Sequence, residues 1–167
     1  MEGNPQTNKE DFRKLAIDYF QQAYQAQMKG ELTEAILLYT KSIELCPTAE
    51  AYTFRGWTYS FMGKYGEAIV ECHKAIEVDP DFGNPYNDIG AYLIELGRFD
   101  EAIPWLEKAT QAKRYESYCF PHLNLGRIWE KKGDYFKAME AYEKALKANP
   151  DYTLARMSLR KLQAMMN

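Results

Sequence analysis

Gly133-Asp134-Tyr135-Phe136-Lys137-Ala138-Met139-Glu140-Ala141-Tyr142-Glu143-Lys144-Ala145-Leu146-Lys147-Ala148-Asn149-Pro150 reads as one helix with a turn before it and a stop behind it. Gly133 permits the tight turn and Tyr135 opens the apolar stripe. Ala138, Ala141, Tyr142 and Ala145 recur at helical spacing, and Pro150 ends the run. The same text stands three more times upstream. Gly30, Gly63, Gly97 and Gly133 each precede a copy, in steps of 33, 34 and 36 residues. Ala35, Ala68, Ala102 and Ala138 follow them in the same steps. A fixed period of this size marks a solenoid of stacked modules.

A second helical pattern lies upstream of each glycine. Ala23, Gly56, Gly90 and Gly126 sit seven residues before the turn, and Tyr19, Tyr52, Tyr86 and His122 four residues before those. Each module is therefore a helix pair. In the first helix a bulky residue shares a face with a small one. In the second, the recurring alanine shares a face with Tyr39, Cys72, Leu106 or Tyr142. Small residues let the paired helices approach closely, and large ones fill the gap to the next pair.

This pattern resembles the tetratricopeptide repeat (TPR), over about 15–150. Repeat four carries Leu125, Gly126, Trp129, Gly133, Ala138, Tyr142, Ala145 and Pro150. Repeat two carries Tyr52, Gly56, Tyr59, Gly63, Ala68, Ala75 and Pro80. Repeat one is looser, with Ala23 in the glycine place and Ser42 in an alanine place. Repeat three departs from the pattern: Arg114 stands where its closing proline belongs, and the next unit begins two residues late. Either a longer second helix or a widened turn accounts for that. Pro85 and Pro121 fall in first turns, where a missing N–H is harmless. Pro104 lies deeper and costs its helix one backbone bond.

The resemblance implies an all-α, right-handed α-solenoid of antiparallel helix pairs with about nine helices. The expected division is a flexible tail over 1–11, four units over about 16–48, 49–82, 83–118 and 119–152, and a capping helix over 151–167. Tyr152, Leu154, Ala155, Leu159, Leu162 and Met166 supply the apolar face of that last helix, with Arg156, Arg160, Lys161 and Gln163 opposite. A helix with one wet face covers the open end of a stack.

Composition narrows the function. At 46% hydrophobic and 27% charged residues, disordered and collagen-like classes are excluded. A net charge of −3 and a pI near 5.5 argue against nucleic acid as a partner. No apolar run approaches the roughly 18 residues that span a bilayer, and Met1 to Asp11 lack the apolar core of a signal peptide. A cytoplasmic location is the resulting expectation. Cys46, Cys72 and Cys119 are an odd count without a C-x-x-C pair, which speaks against disulfides and zinc. They read as small core residues.

Chemistry is sparse. His73 and His122 are the only histidines, and His122 stands where the other repeats have Tyr. No phosphate-binding loop, zincin helix or calcium loop is present. Glu34, Glu67 and Glu101 read as charges that complement helix N-termini. The expectation is a chain that is not an enzyme and carries no cofactor or metal.

In proteins with this repeat, the first helix of each unit lines a concave surface. The matching floor residues are Phe20, Gln21, Tyr24 and Met28, then Thr53, Phe54, Trp57 and Phe61. Repeat three supplies Asn84, Asn87, Asp88 and Ala91, and repeat four Phe120, Leu123, Asn124 and Arg127. Tyr24, Phe54, Trp57, Asn87, Asp88, Asn124 and Arg127 form the expected peptide-binding set, aromatic in the first half and polar in the second. Aromatic anchors offer contact area at low entropy cost, and carboxamides pair with a peptide backbone.

The family's carboxylate clamp for acidic heat-shock chaperone tails needs lysines and an arginine. Its two registers here hold Phe20, Tyr24, Phe54, Asn84 and Asp88, or Thr53, Trp57, Asp88, Phe120 and Asn124, without one cation. No binding to such tails is expected. A scaffold or adaptor holding a protein or peptide partner is the leading reading. Self-assembly as a homo-oligomer is the alternative, and secretion or pilus-assembly chaperones of the same repeat class rank lower. The former typically have three repeats, and no lipoprotein-type cysteine stands near the start.

Overall fold

The structure is a computed structural model that describes residues 5–166. Nine α-helices occur among those residues: α1 (Pro5–Met28), α2 (Leu32–Leu45), α3 (Ala49–Phe61), α4 (Tyr65–Val78), α5 (Asn84–Glu95), α6 (Phe99–Gln111), α7 (Cys119–Lys131), α8 (Tyr135–Ala148) and α9 (Thr153–Met166). They divide into two compact units, one running through Pro80 and one starting at Asp81. In the first, α1 pairs with α2 and α3 with α4, and α2 lies on α3. In the second, α5 pairs with α6 and α7 with α8, and α9 packs on α8.

The four turn glycines have φ of 81°, 72°, 72° and 77°, the left-handed region that side chains avoid. Each turn closes in the same way. The residue after the glycine donates its N–H five residues back, as in Glu31→Ala26 (2.9 Å), Lys64→Tyr59 (3.0 Å), Arg98→Leu93 (2.8 Å) and Asp134→Trp129 (2.9 Å). This is the Schellman closure, and it satisfies carbonyls that the helix end would leave bare.

The register of the core follows the repeat. Ala35, Ala68, Ala102 and Ala138 are fully buried, as are Tyr39, Cys72, Leu106 and Tyr142 at the next shared position. A methyl group on Gly126 would lie 2.4 Å from the Tyr142 ring, and one on Gly90 would lie 2.4 Å from Leu106. The small residue is the seat of the large one. Burying each of these large side chains contributes about 1.5–3 kcal/mol.

Two expectations need adjustment, and the open choice at the irregular junction is decided. Helix α1 starts at Pro5, inside the stretch read as a tail, and residues 1–4 lie outside the described residues. Proline suits a first helical turn, and nothing between it and Asp11 breaks a helix. The irregular junction is a widened turn: α6 stops at Gln111, and residues 112–118 form a loop. Arg114 donates its N–H to Asp81 O (2.9 Å) and accepts from Gly83 N–H (3.1 Å), while Tyr115 is buried against Gly83. Finally, Leu154 and Met166 are exposed rather than part of the covered face of α9, which consists of Ala155, Leu159 and Leu162.

Candidate functional site

In the first unit, the faces of α1 and α3 carry an aromatic chain. Phe20, Tyr24 and Phe54 meet edge to face at 5.3 and 5.8 Å. Phe54 meets Trp57 at 5.7 Å, and Trp57 meets Phe61 at 5.1 Å. The chain is graded. Phe20 and Phe54 are half-buried against the core of Ala23, Ala35, Leu38 and Tyr39, so they anchor α1 to α3. Tyr24, Met28 and Phe61 are exposed, and Trp57 is half-exposed between them. Beneath them Gln27 Oε1 accepts hydrogen bonds from Tyr39 OH (2.8 Å) and Thr58 Oγ1 (3.0 Å).

The polar set of the second unit is wired to itself. Arg127 donates to Asn124 Oδ1 (3.3 Å), Asn124 Nδ2 donates to Asn87 Oδ1 (3.1 Å), and Asn87 Nδ2 donates to Asp88 Oδ1 (3.4 Å). Asn124 is buried, and Asn87 and Asp88 are half-buried. Burial pushes the Asp88 carboxyl up to about 7, against the lowering effect of the Asn87 amide. Four expected contact residues thus form one relay between α5 and α7. Only Arg127 reaches solvent freely, and it also pairs with Glu95 at 3.6 Å.

The reading of α9 as a cap alone leaves out a cleft in this unit. A cleft of about 690 Å³ opens between α7 and α9, lined by Leu123, Arg127, Glu130, Lys131, Tyr135, Tyr142, Leu154, Ser158, Lys161 and Met165. Counting on by one period finds it: Leu154, Ser158 and Lys161 stand 34 residues after Phe120, Asn124 and Arg127. Helix α9 therefore continues the first-helix register. Arg160 stands in the small-residue place and is exposed, in contrast to the buried Gly126.

Glu130 is one of the residues lining the cleft. Tyr142 OH donates to its Oε2 (2.8 Å) and Lys161 Nζ to its Oε1 (2.7 Å). Burial raises this carboxyl, but hydrogen bonds from Lys161 and Tyr142 and the charges of Lys161 and Lys131 outweigh it and hold it below the ordinary value. Among the described residues no cluster of His, Cys, Asp or Glu is arranged to hold a metal ion. No described helix is long and apolar enough to cross a membrane.

Tetratricopeptide repeat profiles match residues 49–82, 84–115 and 119–152, together more than half of the chain. The chain belongs to the tetratricopeptide repeat family, and its fold is an all-α solenoid of helix pairs. Anaphase-promoting complex subunit 3 of Schizosaccharomyces pombe is 29% identical over 136 residues, 81% of this chain and 20% of that protein. Heat shock protein STI1 of Saccharomyces cerevisiae is 31% identical over 98 residues, 58% of this chain and 17% of that protein. The chain thus spans about a fifth of the length of these curated relatives. A solved structure of Pseudomonas aeruginosa pilF superposes with a TM-score of 0.84 at 23% identity, covering 95% of this chain and 70% of that one. Proteins of this family generally mediate protein–protein interaction and are generally non-catalytic.

Proposed function

We propose that the chain is a non-catalytic adaptor that holds a peptide or protein segment on the faces of its first helices. The observation that carries this reading is the exposed aromatic edge of the first unit. Tyr24 is 41% and Phe61 53% exposed, with Met28 beside them at 60%. Large apolar groups left in water along one helix face mark a contact surface. Their aromatic neighbours Phe20 and Phe54 are pinned into the core, so the edge is rigid before any partner arrives. A preorganised aromatic surface loses little entropy on binding.

In the second unit, support comes from the α7–α9 cleft. Asn87, Asp88 and Asn124 act as the wall that fixes α5 to α7, and Arg127 is the member of that set that reaches a partner. The test is to identify segments retained by the immobilised chain and measure their affinity for Trp57→Ala and Arg127→Ala. Each loses affinity about tenfold or more, the loss of a hot-spot side chain, with unchanged helical circular dichroism. Full affinity in both would end the assignment of the partner to these helix faces.

A second reading, self-association, is favoured by the start of α1, where Phe12 and Ile17 are more than half exposed and Leu15 is 42% exposed. They adjoin a cavity of about 430 Å³ lined by Ala16, Ile17, Phe20, Cys46 and neighbours. Light scattering across concentration separates the two readings: a mass that stays at one chain excludes self-association.

A further inference from the structure

Repeats one and four solve the same problem with different chemistry. In each, a fully buried tyrosine of the second helix donates its OH to the residue twelve places before it. Tyr39 donates to Gln27 at 2.8 Å, and Tyr142 donates to Glu130 at 2.8 Å. Repeat one shows that a neutral carboxamide suffices to hold the tyrosine. The charge on Glu130 is therefore not needed for that bond.

That charge is answered inside the cleft by Lys161, with Lys131 and Arg127 also on the wall. Three cations thus line the cleft against Glu130, and of these Arg127 is also paired with Glu95 at 3.6 Å, which leaves Lys131 and Lys161 to share one carboxylate. Around them lie Leu154 and Met165, 58% and 59% exposed. The cleft carries more cations than carboxylates beside these exposed apolar groups, and its own glutamate already holds Lys161 as a ligand carboxylate would.

We propose that the α7–α9 cleft takes an acidic side chain of a partner segment, presented next to an apolar residue, and that Glu130 is the internal carboxylate it displaces from Lys161. This rests on the adaptor reading and names the partner chemistry at one end of it. The occupant is a side chain within a segment, because the group it replaces is a glutamate side chain held through both oxygens. An aspartate or glutamate entering the cleft gains Lys161 and Lys131 while its apolar neighbour covers Leu154 and Met165. Glu130 sets the affinity by competing, since only one carboxylate can hold Lys161 at a time.

The test is an amide NMR titration of the full chain with the amidated peptide Leu-Ser-Glu-Leu-Ser, its Gln and Lys counterparts at the central position, and the Gln peptide with a free C-terminal carboxylate. The Glu peptide shifts α7 and α9 resonances, and the Gln and Lys peptides bind about fivefold more weakly or not at all. Glu130→Gln keeps the Tyr142 hydrogen bond, as Gln27 does for Tyr39, and tightens the Glu peptide about two- to fivefold, the worth of one exposed ion pair. Lys161→Gln removes that gain. Equal binding of Glu and Gln peptides overturns the inference while leaving the adaptor reading standing. So does an unchanged affinity in Glu130→Gln. Binding only of the free C-terminal peptide overturns the side-chain assignment. No shift with any peptide overturns the inference too, and α1 and α3 shifts with a captured segment then show whether the adaptor reading survives.

Discussion

Replacing Glu71 by alanine should be among the most damaging single changes in the first unit. Glu71 is 4% exposed, and its two oxygens are shared by two cations. Arg55 Nε and Nη2 both lie 2.7 Å from Oε2, and Lys74 Nζ lies 2.7 Å from Oε1. Arg55 also donates to Thr40 Oγ1 at 2.9 Å and lies over the Tyr52 ring, so one guanidinium ties α2, α3 and α4 together. Lys74 is 44% exposed and turns to water when Glu71 is lost, whereas the Arg55 side chain, 12% exposed, cannot. Stripping one partner from a buried pair costs about 3–5 kcal/mol. Arg55 keeps Thr40 and the Tyr52 ring, so the lower end applies, about 3 kcal/mol. For a unit of this size that lowers Tm by on the order of 10–20 °C.

The assay is urea unfolding followed by Trp57 fluorescence in a background with Trp105 and Trp129 replaced by Phe, so that only the first unit reports. The double variant Arg55→Met, Glu71→Met removes both charges and stays within about 1 kcal/mol of the parent. Thr40 loses no essential bond there, because its hydroxyl already donates to Ile36 O at 2.7 Å. A loss below about 0.5 kcal/mol for Glu71→Ala would refute the reasoning. A double variant as weak as the single would do so as well.

Other consequences are simpler. Asp88 has a folded pKa of about 7, above its unfolded value near 3.9. The folded chain therefore binds more protons between those values, and the second unit loses stability as pH rises from about 4 to about 7, by up to about 1.4 kcal/mol per unit. Asp88→Asn flattens that slope when unfolding is followed through Trp105 and Trp129, and a slope equal to the parent's would rule Asp88 out. Gly133→Ala and Gly66→Ala both place a methyl group in open space, yet only Gly133 has φ of +77°. Thermal melts should show Gly133→Ala losing about 1–2 kcal/mol and Gly66→Ala gaining about 0.5 kcal/mol. Tyr39→Phe removes the hydrogen bond to Gln27, and Tyr142→Phe those to Glu130 and Ser158; each should cost about 0.5–1.5 kcal/mol per bond in chemical denaturation. A neutral result for both would mean water replaces the hydroxyl without loss.

The helix pairs were legible because each depends on local signals that recur: a turn glycine, an alanine five residues on, and a bulky residue four beyond that. Side chains in the core obey the same period, so Tyr39, Leu106 and Tyr142 could be placed from spacing alone. The start of α1 was harder to see, because polar residues between Pro5 and Asp11 resemble a tail although nothing in them stops a helix. The site was legible by face and not by partner. Spacing places Asn87, Asp88, Asn124 and Arg127 on one surface, but only coordinates show that the first three satisfy each other. The cleft at α9 was hidden for a different reason. Arg160 in a small-residue place makes the last helix look like a lid, while Leu154, Ser158 and Lys161 still follow the first-helix register.

Hydrogen exchange of the chain with and without a captured partner segment tests the central claim most directly. Slowed exchange along α1 and α3, and along α7 and α9 in the second unit, is the expected result. Protection confined to α2, α4, α6 and α8 would place the partner on the opposite surface and contradict the account.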